Sequence, residues 1–375
     1  MLNKPKNKSK IRNYYYLKTL PNNLKLLNLI LIMKSIFSKK IKALYIIPII
    51  LFTCIVSFLT ACYNFNKNKS EFANTDQSLA CNYNLKRLEG YKFIKPLLFV
   101  DDDCEGDNLA ISKQEINNVI ENYKATQGVI SASVYIKEYQ YNSWTAINEE
   151  LEYEPGSLFK VPILMAYLKL SEKKPNVLEK ELLFDTPFAI NKNVAYQSKQ
   201  IKLGSKYTVR QLLTYMITYS DNNATALLNN NLEADVLYKL FADLNLVIPD
   251  IKAQHYYFTV KDYSLFLRSL YNATYLSVAN SEYAMELLGK CEFKGGIVNG
   301  LPSNVRVAHK FGESGTPTEM QLHESAIIYD KDKTYLLTVM TKGKDNKSLS
   351  SLISKISELV HKNIMNINTV SMASL

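Results

Sequence analysis

Apolar residues fall at three- and four-residue steps in some stretches and alternate with polar ones in others, and the order of the two patterns outlines the chain. "KQEINNVIENYKA" (113–125) has helical spacing. "VISASVYIKEY" (129–139) and "SWTAIN" (143–148) then alternate and are rich in β-branched and aromatic residues, which predicts two strands joined as a hairpin. From Leu158 to about Cys291 the helical period returns, in "VRQLLTYMITYS" (209–220), "EADVLYKLFADLNL" (233–246) and "TVKDYSLFLRSLY" (259–271). Three more strands are predicted at "VRVAHKFG" (305–312), "QLHESAIIY" (321–329) and "TYLLTVMTKG" (334–343). The last apolar stripe, Leu349, Leu352, Ile353, Ile356, Leu359 and Val360, lies on one face of a helix over 348–364. Five strands with a helix from each end make a sheet layer, and the central helices must form a second layer or lobe. That is an α+β fold with an all-α subdomain inserted.

Charge changes the picture only at the N-terminus. Residues 1–61 hold 11 Lys/Arg and no Asp or Glu; taking these from totals of 45 and 35 leaves 34 basic against 35 acidic residues, a net of −1. The overall charge of +10 is therefore no ground for expecting nucleic-acid binding by the globular part. After Lys42 come 19 residues without a charge, "ALYIIPIILFTCIVSFLTA", ending just before Cys62. A basic stretch, an apolar stretch and small residues before a break make an export signal. The run exceeds the usual ~7–15 residues of a signal core and is about as long as a membrane span, so an uncleaved anchor is the alternative. "LTAC", Leu59 to Cys62, resembles the lipobox of bacterial lipoproteins, which implies cleavage before Cys62 and acylation of its thiol. Either reading puts the rest of the chain outside the cytoplasm, tethered to the cell envelope. From Met33 the leader has ordinary signal length, so the precursor is expected to start there.

The polar, Asn-rich 62–80 reads as a tether, and 81–110, with one apolar run and the acidic "DDDCEGD", as a pre-domain segment of unassigned role. The domain is expected over 111–365, with 366–375 as a tail. Cys81 and Cys104 flank the pre-domain segment and can pair in an oxidising compartment; Cys291 is expected to be a buried apolar residue. No spacing suggests a zinc site, and no cofactor is expected.

Three short motifs carry candidate chemistry. Ser157 and Lys160, in "EPGSLFKVP", open the helical middle. At a helix mouth the serine hydroxyl stands near unpaired N–H groups and the positive dipole end, and a lysine three residues on shares its face. A serine needs a base to become a nucleophile, and a lysine can be that base if burial and neighbouring positive charge lower its pKa. Pro162 weakens this picture by removing an early helix hydrogen bond. Ser220-Asp221-Asn222 follows about 60 residues later, between two helical runs, and Lys310-Phe311-Gly312 about 90 residues after that, on a predicted strand. Each motif alone is weak. Ser171 to Lys174 repeats the first, Lys202 and Lys294 repeat the third, and Ser, Asp and Asn cap helices generally.

In this order and spacing the three make the signature of class A β-lactamases and penicillin-binding proteins. Over about 112–365 the chain resembles the class A β-lactamase-like serine hydrolases. The resemblance implies a five-stranded antiparallel sheet flanked by N- and C-terminal helices. It makes Ser157 the acylated nucleophile and Lys160 its general base or the partner of one. Ser220 becomes the proton shuttle, Asn222 the binder of the substrate amide, and Lys310 and Gly312 the strand that receives the substrate. The backbone N–H groups of Ser157 and Glu313 become an oxyanion hole. The expected substrate is a small molecule or peptidoglycan peptide, as a β-lactam or a peptidyl-D-alanine amide or ester, taken by a monomer.

The family pattern breaks in two places. Its strand motif usually reads Lys-Thr/Ser-Gly, where Phe311 offers no hydroxyl; His309, His323 and Ser325 are the possible substitutes. Its deacylating glutamate has no counterpart in "LVIPDIKAQHYYFTVKD" (246–262), where Asp250 and His255 are the nearest groups. An acyl-enzyme that forms but turns over slowly is therefore expected. A catalytically inactive wall-binding lipoprotein is the alternative.

Overall fold

The structure, a computed structural model, describes residues 56–57, 84–101, 109–140, 142–188, 196, 198–249 and 256–371. The proposed signal (Val56 and Ser57 apart), Cys62, Cys81, Cys104, Asp250 and His255 all lie outside these residues. No helix among the described residues is long and apolar enough to cross a membrane. Residues Cys81–Leu375 form one compact unit.

The predicted strands become β3 (Val129–Glu138), β4 (Trp144–Ile147), β7 (Arg306–Thr316), β8 (Glu319–Asp330) and β9 (Lys333–Gly343). They form one sheet in the order β4-β3-β9-β8-β7, antiparallel at every pairing, with β7 at an edge. The central strands are buried on both faces, so their apolar runs are nearly continuous. On one face pack α1 (Ala110–Thr126) and the final helix, α8 (Asn346–Ser371), through Ile116 and Ile120 of the first and Leu349, Leu352, Ile353, Ile356 and Val360 of the second. The other face carries the helical subdomain. Its helices are α2 (Lys160–Lys173), α3 (Val209–Thr218), α4 (Asn222–Asn230), α5 (Ala234–Asp243), α6 (Val260–Asn272) and α7 (Val278–Leu288). This is the predicted α+β arrangement.

Two hairpins escape the periodicity. β5 (Glu181–Phe184) and β6 (Ser205–Thr208) pair within the helical half. β1 (Asn84–Arg87) and β2 (Leu97–Asp101) pair in the unassigned pre-domain segment. The link between β1 and β2 docks on the domain. Glu282 of α7 accepts the N–H groups of Lys92, Phe93 and Ile94. Arg87 donates to Asn272 at 2.9 Å and lies 5.4 Å from the rings of both Tyr139 and Tyr271.

Candidate active site

Ser157 lies in a 3-10 turn, Gly156–Phe159, from which α2 begins at Lys160. Pro162 therefore sits in the first helical turn, where a missing N–H costs little. The carbonyl it would have served, that of Leu158, instead accepts the hydroxyl of buried Tyr263 on α6 at 2.9 Å. The turn is also held from the sheet. Gln321 accepts the Glu154 N–H at 3.1 Å, while Ser314 and His323 reach the Glu154 carbonyl at 2.8 and 2.9 Å. Thr341 N–H donates to His323 Nδ1, so the ring's proton is on Nε2, directed at Glu154. Burial pushes this imidazole down to about 3, so it is neutral.

Two glycines bring β7 onto the same turn. A Cβ on Gly312 would lie 2.2 Å from the Pro155 carbonyl oxygen and 2.8 Å from Leu158 N. A Cβ on Gly156, at φ +51°, would lie 2.2 Å from the Glu313 carbonyl oxygen. The backbones of Glu313 and of the residue before Ser157 are thus in direct contact. Among the described residues the Ser157 hydroxyl takes no hydrogen-bond partner.

Lys160 is buried, and its Nζ lies 2.6 Å from the Ser220 carbonyl oxygen, 3.0 Å from Ser220 Oγ and 2.7 Å from Asn222 Oδ1. Asp221 caps α4 through the Asn223 N–H and also accepts the Ile201 N–H at 2.7 Å, which fixes the turn between α3 and α4. Ser220 takes φ +56° there, a left-handed conformation rare outside glycine and asparagine. Lys310, on β7 and fully buried, donates to the same Ser220 Oγ at 3.0 Å and to the Phe311 carbonyl. The two lysines thus share one hydroxyl. Burial first, and then Lys310, hold Lys160 well below the ordinary lysine range, against Asp221 and Cys291. Burial brings Lys310 down to about 8, against Cys291, Glu324 and Glu313.

Lys160, Ser220, Asn222 and Lys310 therefore form one hydrogen-bonded group, with Ser157 a turn before Lys160 and Gly312 and Glu313 against its loop. None of the three substitutes for the missing strand hydroxyl serves. His309 pairs with Glu324, His323 with Glu154, and Ser325 with Thr338. Phe311 is buried, stacks on Phe293 at 4.2 Å and puts its ring 4.0 Å from Lys310 Nζ, a cation–π contact in place of a hydroxyl. Sequence reasoning missed Tyr263, whose only trace is the carbonyl that Pro162 leaves unpaired. It also missed the polar clamp on Glu154.

The arrangement has relatives. Structures with similar folds include PBP-A (20% identity, TM-score 0.57, covering 69% of this chain and 97% of that one) and a point mutant of it, an acyl-enzyme complex with penicillin G (19%, TM-score 0.57, 69% and 98%). A β-lactamase from Sphaerobacter thermophilus matches at 18% identity and TM-score 0.56, over 67% of this chain and 98% of that one. At these identities the likeness is one of fold. Among proteins of curated function, none matches the chain in sequence. The sequence profile of the family named Beta-lactamase2, described as the "Beta-lactamase enzyme family", matches residues 111–364, more than half of the chain, and the protein belongs to that family.

Proposed function

We propose that this member is a serine hydrolase that forms an acyl-enzyme at Ser157 with a β-lactam or a peptidyl-D-alanine-like bond and releases it slowly. The observation that carries the reading is the pair of buried lysines on one hydroxyl. Lys310, as an ammonium, donates to Ser220 Oγ, so the hydroxyl's own hydrogen is free to turn toward the leaving nitrogen. A neutral Lys160 donates to the Ser220 carbonyl and to Asn222 and keeps its lone pair for a proton. In the reaction Lys160 takes the Ser157 proton as Oγ attacks the carbonyl carbon. The Ser157 and Glu313 N–H groups receive the oxyanion, each donor being worth roughly 3 kcal/mol in the transition state. The C–N bond breaks, the leaving nitrogen takes its proton from Lys160 through Ser220, and an ester remains on Ser157. Asn222 holds the substrate amide. Lys310, with Gly312 beside the Ser157 turn, supplies positive charge for the substrate carboxylate.

Slow release follows from residues 246–262, which contain no glutamate to position a water. The described part of this segment returns to the domain through a bridge in which Phe258 and Tyr153 exchange both backbone hydrogen bonds, at 2.9 and 3.0 Å. The PBP-A mutant trapped with penicillin G makes a penicillin the natural first probe. Incubation with a fluorescent penicillin, read by intact mass, is expected to give one adduct per chain, absent from Ser157→Ala. Nitrocefin is expected to give a stoichiometric burst and then stall. Sustained turnover contradicts the slow release, and an unlabelled wild type favours the inactive wall-binding alternative. The same reading places the chain in the cell envelope as a monomer, lipid-anchored at Cys62. Loss of lipid labelling in Cys62→Ala is the expected outcome.

A further inference from the structure

Lys310 is fully buried, and its ammonium is already engaged inside the protein. Of its three N–H groups, one goes to Ser220 Oγ and one to the Phe311 carbonyl, both at 3.0 Å. The centroid of the Phe311 ring lies 4.0 Å from the same nitrogen. That ring is itself fixed. It stacks on Phe293 at 4.2 Å with the two planes 17° apart, and Tyr196 meets both rings nearly at right angles, at 5.0 and 5.5 Å. Phe293 and Phe311 are buried, so neither ring can turn aside without leaving a void. An ammonium is drawn to the face of an aromatic ring, most strongly where both are out of water.

A carboxylate is best received by donors aimed at it, above all by a guanidinium fork. Among the described residues the four arginines are all held elsewhere. Arg87 and Arg210 bond Asn272 and Glu179, and Arg268 and Arg306 lie over the rings of Tyr135 and Tyr329. The position after Lys310 carries a ring instead of a hydroxyl, and Ser314 further along the strand donates to Glu154. A substrate carboxylate therefore feels the charge of Lys310 through Ser220, with no strand hydroxyl or guanidinium to grip it.

We propose that Phe311 is a positioning residue that sets specificity. Its ring, clamped on Phe293, holds the Lys310 ammonium against Ser220 and away from the substrate. The site then takes acyl donors whose carboxylate is masked as an ester or amide about as readily as those that carry it free. The proposal rests on the reading of Ser157 as the acylated group.

Benzylpenicillin and its methyl ester present the same lactam with and without a free carboxylate. Their second-order rates of acylation are measured in competition with the fluorescent penicillin and read by intact mass. The two rates are expected to lie within about tenfold of each other, the range of a weakly held ion pair. Phe311→Thr removes the ring and puts a hydroxyl on the strand. It is expected to raise the preference for the acid by about 10–100-fold, the worth of one hydrogen bond to a charged group. A second arm needs neither the probes nor that variant. In protein carrying isotope-labelled lysine, the NMR signal of the Lys310 ε-methylene is assigned by its loss in Lys310→Met. The ring current of Phe311 is expected to shift it upfield of the other lysines, and Phe311→Leu, which keeps the position apolar, should return it to their range. The proposal is overturned by a wild type that prefers the acid by about a hundredfold or more, by a threonine variant that keeps the wild-type ratio, or by a lysine signal that Phe311→Leu does not move. A protein that takes neither probe overturns the reading of Ser157, and the lysine signal then decides by itself whether the ring holds the ammonium.

Discussion

Lys160 and Lys310 both carry amines into the protein interior, and the proposed chemistry needs them in opposite charge states. Lys160 must be neutral to take a proton, and Lys310 must stay charged. Burial and the neighbouring ammonium lower Lys160 well below its ordinary range, so it loses its proton first. Lys310 follows at about 8. Acylation is therefore expected to rise with pH as Lys160 deprotonates and to fall again above about pH 8 as Lys310 does. Stopped-flow labelling over pH 5 to pH 10 checks the bell, and a rate that climbs monotonically to pH 10 contradicts the role given to Lys310. Lys160→Met is expected to slow acylation by about 10²–10⁴-fold, the usual range for a lost general base. Ser220 ties the two amines together from a left-handed backbone. This conformation leaves no mark in a sequence, because serine is not a residue that normally signals it.

At the scale of elements, the site is where an edge strand and a helix mouth meet backbone to backbone. Gly312→Ala would set a methyl group against the Pro155 carbonyl oxygen. It is expected to cost about 1–3 kcal/mol in unfolding experiments and to slow acylation at least tenfold, because the strand and the Ser157 turn must part. Tyr263→Phe removes the hydroxyl that the Leu158 carbonyl accepts in place of the N–H that Pro162 lacks. A loss of about 1–3 kcal/mol is expected in denaturant unfolding, and an unchanged midpoint would show that the capping bond is dispensable. The sheet, its flanking helices and the three motifs were legible because each rests on local periodicity or fixed spacing. The supports of the site were not. His309 and Glu324 meet only when β7 and β8 pair in their observed register, with His309 opposite Ala326. His323, Gln321 and Ser314 reach Glu154 only across the sheet.

For the molecule as a whole, the segment ahead of α1 belongs to the folded unit. Phe93 and Ile94 are buried, and Glu282 holds the backbone of this short apolar run. Sequence could not place the run, because its partners Asn272, Glu282 and Tyr329 lie far along the chain. Glu282→Ala is expected to lower stability by roughly 1–3 kcal/mol and to open residues 88–96 to limited proteolysis before the rest of the domain. Equal resistance in the variant would mean that the hairpin is held by its apolar contacts alone. The bridge between Tyr153 and Phe258 has a consequence at the largest scale. If the ester on Ser157 is as long-lived as the segment ending at that bridge implies, each copy of the protein inactivates one antibiotic molecule and is then spent. Any resistance it gave to a cell would rise with the number of copies made and fade as the dose outgrew them, however long the exposure.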